Sequence, residues 1–203
     1  IVRHEEIDGG IMRESRSTLV YDALGKGERN SETNNETKND ERTWINVKEN
    51  GVLYGFDCEK VMYCTSNGTE KKRVGTLTNS SEIVVDLYAG IGYFTLPYLV
   101  LGHARHVHAC EINPNSVNAL EKNLLLNKVS DRCTVYLNDN QITVQKHLIG
   151  VADRVNMGLI PSCENAYSIG IDCLNKKTGG WLHVHGNGPR IERKKWALDI
   201  VQK

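Results

Sequence analysis

The stretch Ile83–Thr95, reading IVVDLYAGIGYFT, constrains the fold of this chain more than any other. A short apolar strand ends in Asp86, and the chain then turns through Gly90 and Gly92 into a helical segment. That is the layout of a nucleotide-binding first βα unit in a doubly wound sheet. Glycines at such a turn let backbone amides approach a ligand, and the helix start offers N–H groups with no intrahelical partner. A dinucleotide fingerprint wants a third glycine where Thr95 stands, and it does not include an acid four residues before the first turn glycine, where Asp86 lies. A nicotinamide dehydrogenase is therefore disfavoured, and the departure points to S-adenosylmethionine.

The surrounding pattern alternates strand and helix, which predicts an α/β fold with a mostly parallel, doubly wound, Rossmann-like sheet. Strands are expected at Ile83–Tyr88, His106–Glu111, Cys133–Leu137, Arg154–Leu159 and Trp181–His185, with helices at Phe94–Leu101, Asn115–Asn127 and Glu192–Val201. Upstream, WINVKENGVLYGFD reads as a hairpin turning at Glu49-Asn50-Gly51, and VMYCTSNGTEKKR as a strand that runs through a polar loop into a basic helix start. Residues 26–42 contain no apolar side chain and cannot offset the entropy of ordering, so they read as a disordered polar linker. The division expected is a poorly defined N-terminal remnant over 1–25, this linker over 26–42, a small β element with a cofactor-side loop over 43–79, and the S-adenosylmethionine-binding domain over 80–203. The chain starts without methionine and its last periodic segment runs to Lys203, so it reads as a fragment that stops before a final antiparallel hairpin.

Several residues at strand ends suit one adenosine ligand. Asp86 stands where ligands bind in open α/β sheets, and its carboxylate would receive an ammonium directly or through water, unless it is an ordinary turn aspartate. Gly90 gives the backbone close approach. Glu111 closes the second strand nineteen residues after Gly92, where a carboxylate can accept both hydrogen bonds of a ribose diol. Asp139 and Asn140 follow the third strand, placed either to read the adenine amine and a ring nitrogen or to form a simple turn. After the fourth strand, Asn156–Ser162 occupies the slot where amino-group methyltransferases carry an Asn/Asp-Pro-Pro-aromatic tetrapeptide, and that tetrapeptide is absent. Methylation of an amino nitrogen loses support accordingly.

Other polar clusters are weaker. His106, His108 and Cys110 share a strand face, but a central parallel strand is buried by helices, so a metal is not expected there or at His183 and His185. His185 remains a candidate base at a strand end. Lys71, Lys72 and Arg73 read equally as solvated helix charge or as cations for a carboxylate or an RNA phosphate. With 25 basic and 25 acidic residues the net charge is zero, so nucleic acid would need a local patch or another domain. The six cysteines form no CxxC pair, and several fall in apolar runs like buried free thiols, which points to a reducing, cytoplasmic location. Two glycosylation patterns, at Asn67 and Asn79, have no signal peptide to support them. No apolar run approaches the ~20 residues of a membrane span.

Together VDLYAGIGYFTLP, HACEINPNSVNALEKNLLLN, Asp139-Asn140 and DRVNMGLIPS resemble the tRNA wybutosine-synthesising family that transfers a 3-amino-3-carboxypropyl group, itself similar to the tRNA guanosine-37 N1-methyltransferases. The resemblance covers about Trp44 to His185, and its specific part runs from Ile83 to Ser162. It implies a class I methyltransferase-type fold, S-adenosylmethionine as co-substrate, and the anticodon region of tRNA(Phe) as partner. It also implies that cofactor contacts fall at Cys64 and Lys71, where the family has serine and lysine, with Glu111, Asp139 and Asn140 completing them. A thiol at Cys64 is a weaker hydrogen-bond partner than the family's hydroxyl. Lys71 is implied to hold the cofactor's carboxylate. The chemistry implied is attack by a carbon of a tricyclic guanosine derivative on the methionine γ-carbon, releasing methylthioadenosine, with no residue assigned as base. The alternatives are a guanosine-37 N1-methyltransferase and a non-catalytic binding fragment.

Overall fold

The computed structural model describes residues 2–3, 18–19 and 43–202. The expected linker at 26–42 and nearly all of the expected remnant at 1–25 lie outside the described residues. Val2–Arg3 pairs antiparallel with Thr18–Leu19.

Strands β1 (Trp44–Glu49) and β2 (Val52–Asp57) form an antiparallel hairpin. Asn50 and Gly51 both have positive φ, 52° and 85°, the mirror-image turn that matches strand twist and that Asn-Gly adopts most readily. Helix α1 (Gly68–Leu77) leads to β3 (Ile83–Asp86), α2 (Thr95–Val100), β4 (His106–Glu111), α3 (Pro114–Leu126) and β5 (Cys133–Leu137). Then come α4 (Asn140–Thr143), β6 (Arg154–Met157), α5 (Tyr167–Cys173), β7 (Trp181–Val184) and α6 (Arg193–Val201). Five parallel strands lie in the order β5-β4-β3-β6-β7, so the glycine-turn strand β3 is central and the chain changes direction beside it. Ligands bind at such a switch point, outside the carboxyl ends of the strands.

Period two along β3 sends neighbouring valines to opposite faces. Val84 belongs to the core beneath the hairpin, α2 and α3, with Leu96, Leu99 and Leu120. Val85 belongs to the other core, with Val155, Met157 and Ile169. The hairpin is fixed to α3 by two asparagines one turn apart. Asn123 Oδ1 accepts from the Gly55 amide at 2.6 Å, and Asn127 exchanges hydrogen bonds with the Leu53 amide and carbonyl at 2.9 and 2.7 Å.

One expected strand is absent. The segment from Val61 to Cys64 has no regular structure, because its carbonyls are bonded by side chains and not by a neighbouring strand. Tyr93 donates its hydroxyl to the Met62 carbonyl, and the Lys71 ammonium donates to the Cys64 carbonyl at 3.0 Å. Helix α5, not anticipated from the sequence, covers β6. Among the described residues no helix is long and apolar enough to cross a membrane.

Candidate functional site

A cavity of about 450 Å³ opens at the carboxyl ends of β3 and β4. The glycine turn makes one wall. Gly90 has φ +55° and Gly92 φ +100°, conformations that side chains resist, and a Cβ at Gly90 would stand 2.8 Å from the Tyr93 ring. Glu111 forms the adjoining wall, and its carboxylate is tied down on both oxygens. Oε2 accepts from the Gly90 amide at 2.7 Å, while Oε1 accepts from the amides of Ile112 and Asn113 at 2.9 and 2.8 Å. Burial raises the carboxyl's pKa, and the amides of Asn113, Gly90 and Ile112 act in the opposite sense. One carboxylate thus fixes the turn and, with both sites of Oε1 filled, keeps one acceptor site on Oε2 beside the cavity.

Asp139 and Asn140 line the same cavity from the end of β5. The Asp139 side chain caps α4 by accepting from the Gln141 amide at 2.7 Å, and Asn140 donates to the Leu87 carbonyl at 3.0 Å. The pair thus forms the expected turn, and it also borders the cavity. Cys64 also lines the cavity, with Sγ 3.0 Å from the Ser66 hydroxyl.

Two expected contacts are placed elsewhere. Asp86 is fully buried behind the glycine turn, where Oδ2 accepts from Thr95 Oγ1 at 2.8 Å and Oδ1 from Asn156 Nδ2 at 3.0 Å. It braces the strand end and is not presented to a ligand, since it is fully buried and, unlike Glu111, does not line the cavity. Lys71, expected to hold a cofactor carboxylate, is 1% exposed. Its ammonium meets Glu49 Oε2 at 2.6 Å and stands about 5 Å from the ring centres of Tyr54 and Tyr63 and 5.3 Å from that of Tyr93. Burial pushes the hydroxyl pKa of all three tyrosines up. Lys71 therefore supports the loop around Met62 and Cys64 from behind. Lys72 and Arg73 are exposed, and Arg73 is bonded to Glu70 at 2.6 and 2.7 Å.

The histidines are engaged one by one. His106 and His108 each meet a hydroxyl of β5, Thr134 at 2.8 Å and Tyr136 at 3.1 Å. His183 accepts from Arg154 at 2.6 Å, and His185 bonds Asn156 at 3.2 Å. Among the described residues no group of three or more His, Cys, Asp or Glu could hold a metal ion.

Two further features escape sequence reading. Asn67 lines this cavity and also a neighbouring one of about 710 Å³, bordered by Glu70, Gly186, Arg193 and Trp196. Asn67 precedes α1 but makes no capping bond with its side chain, and Oδ1 is a buried polar atom without a protein partner. The sequence offers no signal for this, since the absent cap and the burial of Oδ1 both depend on how the loop packs. Asn156 is the second, because its inward orientation depends on Asp86 and His185.

With this geometry in hand, comparison with known proteins is decisive. The TRM5/TYW2 methyltransferase domain profile matches residues 45–200. The chain belongs to this family. A tRNA wybutosine-synthesizing protein 2 homolog from Danio rerio is 52% identical over 139 residues, covering 68% of this chain and 33% of that relative. Among solved structures, M. jannaschii TYW2 in complex with AdoMet is 32% identical at TM-score 0.61, over 75% of this chain and 63% of that one. P. horikoshii TYW2 in complex with MeSAdo is 31% identical at TM-score 0.70, over 77% of this chain and 57% of that one. The chain thus spans about a third of the curated relative. The family's fold is the class I methyltransferase-type sheet expected from the sequence and found here.

Proposed function

We propose that this chain is the S-adenosylmethionine-binding core of a cytoplasmic tRNA-modifying enzyme that transfers the 3-amino-3-carboxypropyl group to the tricyclic guanosine-37 precursor of wybutosine in tRNA(Phe). The cavity fits the co-substrate: its glycine wall leaves no room for a Cβ at Gly90, and Glu111 is held by three amides beside it. Glu111 would hold the ribose, Asp139 and Asn140 the adenine, and the loop bearing Cys64 the methionine end. When bound, S-adenosylmethionine supplies a sulfonium whose attached carbons are open to displacement. The protein's part is alignment, since fixing which carbon faces the acceptor provides much of the rate difference between rival displacements.

The observation that carries the choice of reaction is the state of Asn156. It is fully buried, and its amide is occupied at both ends, by Asp86 and by His185. No carboxamide at that position is left to accept from a substrate amine, which suits a carbon nucleophile. The MeSAdo in the P. horikoshii TYW2 structure agrees with this reading. Incubated with S-adenosylmethionine and precursor tRNA, the protein is expected to release methylthioadenosine. Chromatography that found S-adenosylhomocysteine alone would replace this reading with N1-methylation.

A further inference from the structure

We propose that His185 accepts the proton released by the acceptor carbon, and that Asp86 and Asn156 are positioning residues that hold its imidazole in the required tautomer. This rests on the aminocarboxypropyl-transfer reading above.

The geometry is a buried chain of three side chains from adjacent strand ends. Thr95 donates to one oxygen of Asp86, and Asn156 Nδ2 donates to the other at 3.0 Å. That contact orients the Asn156 amide and turns Oδ1 toward His185 Nε2, 3.2 Å away. A carboxamide oxygen only accepts, so Nε2 carries the proton and Nδ1 keeps its lone pair. The Tyr98 hydroxyl, 3.4 Å from the same oxygen, adds a second donor to Oδ1. This is the logic by which a buried acid fixes a histidine base, here with a carboxamide interposed.

The imidazole itself lines neither cavity, but its neighbours line both. Its ring lies 4.6 Å from that of Phe94, which lines the cofactor cavity, and its chain neighbour Gly186 lines the second. Asn67 borders both. In this proposal the acceptor base occupies the second cavity and reaches the cofactor past Asn67, with His185 alongside. The charged and titratable groups that act on His185 are Glu70 and Arg73 of α1, with His183 two residues away on β7. Burial, the largest effect, lowers the pKa of His185; Glu70 raises it and Arg73 lowers it. The ring is thus neutral and basic near pH 7.

In the transfer, the new carbon–carbon bond forms as the carbon–sulfur bond breaks. Sulfur retains that electron pair in methylthioadenosine, and the proton of the attacking acceptor carbon passes to Nδ1. Nitrogen-15 NMR of the full chain is expected to show His185 as the Nε2–H tautomer at pH 7, titrating below pH 6.5; an Nδ1–H tautomer would overturn the assignment without any substitution. His185→Gln is expected to lower the single-turnover rate roughly 100-fold, as loss of a general base does. Its S-adenosylmethionine affinity, read by calorimetry, should stay within about twofold if the base alone is lost. A rate within about threefold of wild type, with methylthioadenosine still released, would remove His185 from the reaction and leave the transfer itself standing. Release of S-adenosylhomocysteine by the wild-type protein would instead overturn the transfer reading, whatever the tautomer.

Discussion

Replacing Glu111 with alanine is expected to lower affinity for S-adenosylmethionine by roughly 10–150-fold, since three of its acceptor sites already hold backbone amides and the one charge-assisted hydrogen bond left for the proposed ribose contact contributes about 1.5–3 kcal/mol. The same change leaves the amides of Gly90, Ile112 and Asn113 without their acceptor. Glutamine should fail too, although it is nearly isosteric. Both oxygens of Glu111 receive backbone donors, and glutamine has only one oxygen, so its NH₂ must face either the Gly90 amide or the Ile112 and Asn113 pair. Calorimetry on both variants checks this, and glutamine binding at wild-type strength would remove Glu111 from the site. The proposed ribose contact needs the ionised carboxylate, whose pKa is raised by burial. Affinity is therefore expected to fall on acidification at a higher pH than an exposed glutamate would give.

Lys71→Met is expected to destabilise the protein by about 3 kcal/mol, the lower end for removing one partner of a buried pair. Glu49, the carboxylate left behind, is 19% exposed and keeps the Tyr63 hydroxyl at 3.2 Å, so water and tyrosine recover part of the loss. At roughly 2–4 °C per kcal/mol for a domain of this size, the melting temperature should drop by about 6–12 °C. Adding Glu49→Gln should restore part of it, because no uncompensated carboxylate then remains. Thermal unfolding of the single and double variants measures this coupling. If Lys71 instead gripped the cofactor's carboxylate, the single variant would melt normally and lose affinity for S-adenosylmethionine but not for methylthioadenosine.

These two residues show what the sequence could and could not reveal. The place of Glu111 at the cavity was legible because it follows from local order: an apolar strand, an acid at its end, and a glycine turn at a set distance upstream. Strands His106–Glu111 and Cys133–Leu137 were bounded as expected for the same reason, each being a short apolar run closed by turn residues. Lys71 was not legible, since a lysine between Glu70 and Lys72 on a polar helix looks solvated. Its burial is decided by Glu49, twenty-two residues earlier, and by three tyrosines from the hairpin, the loop and the glycine turn. Asp86 was placed correctly along the chain, but its orientation was set by Thr95 and Asn156, which only the folded sheet brings to it. The stretch around Met62 was read as a strand on local apolar content, whereas a strand exists only where a neighbour offers a ladder.

Asn123 links parts of the molecule that the chain keeps far apart. Fully buried on α3, it accepts from Gly55 in the hairpin and donates to the carbonyl of Ile91, between the two turn glycines. The hairpin and the glycine turn are thus both fastened to one side chain of α3, so a substitution of Asn123 would leave a backbone amide and a backbone carbonyl unpaired in two separate parts of the fold at once.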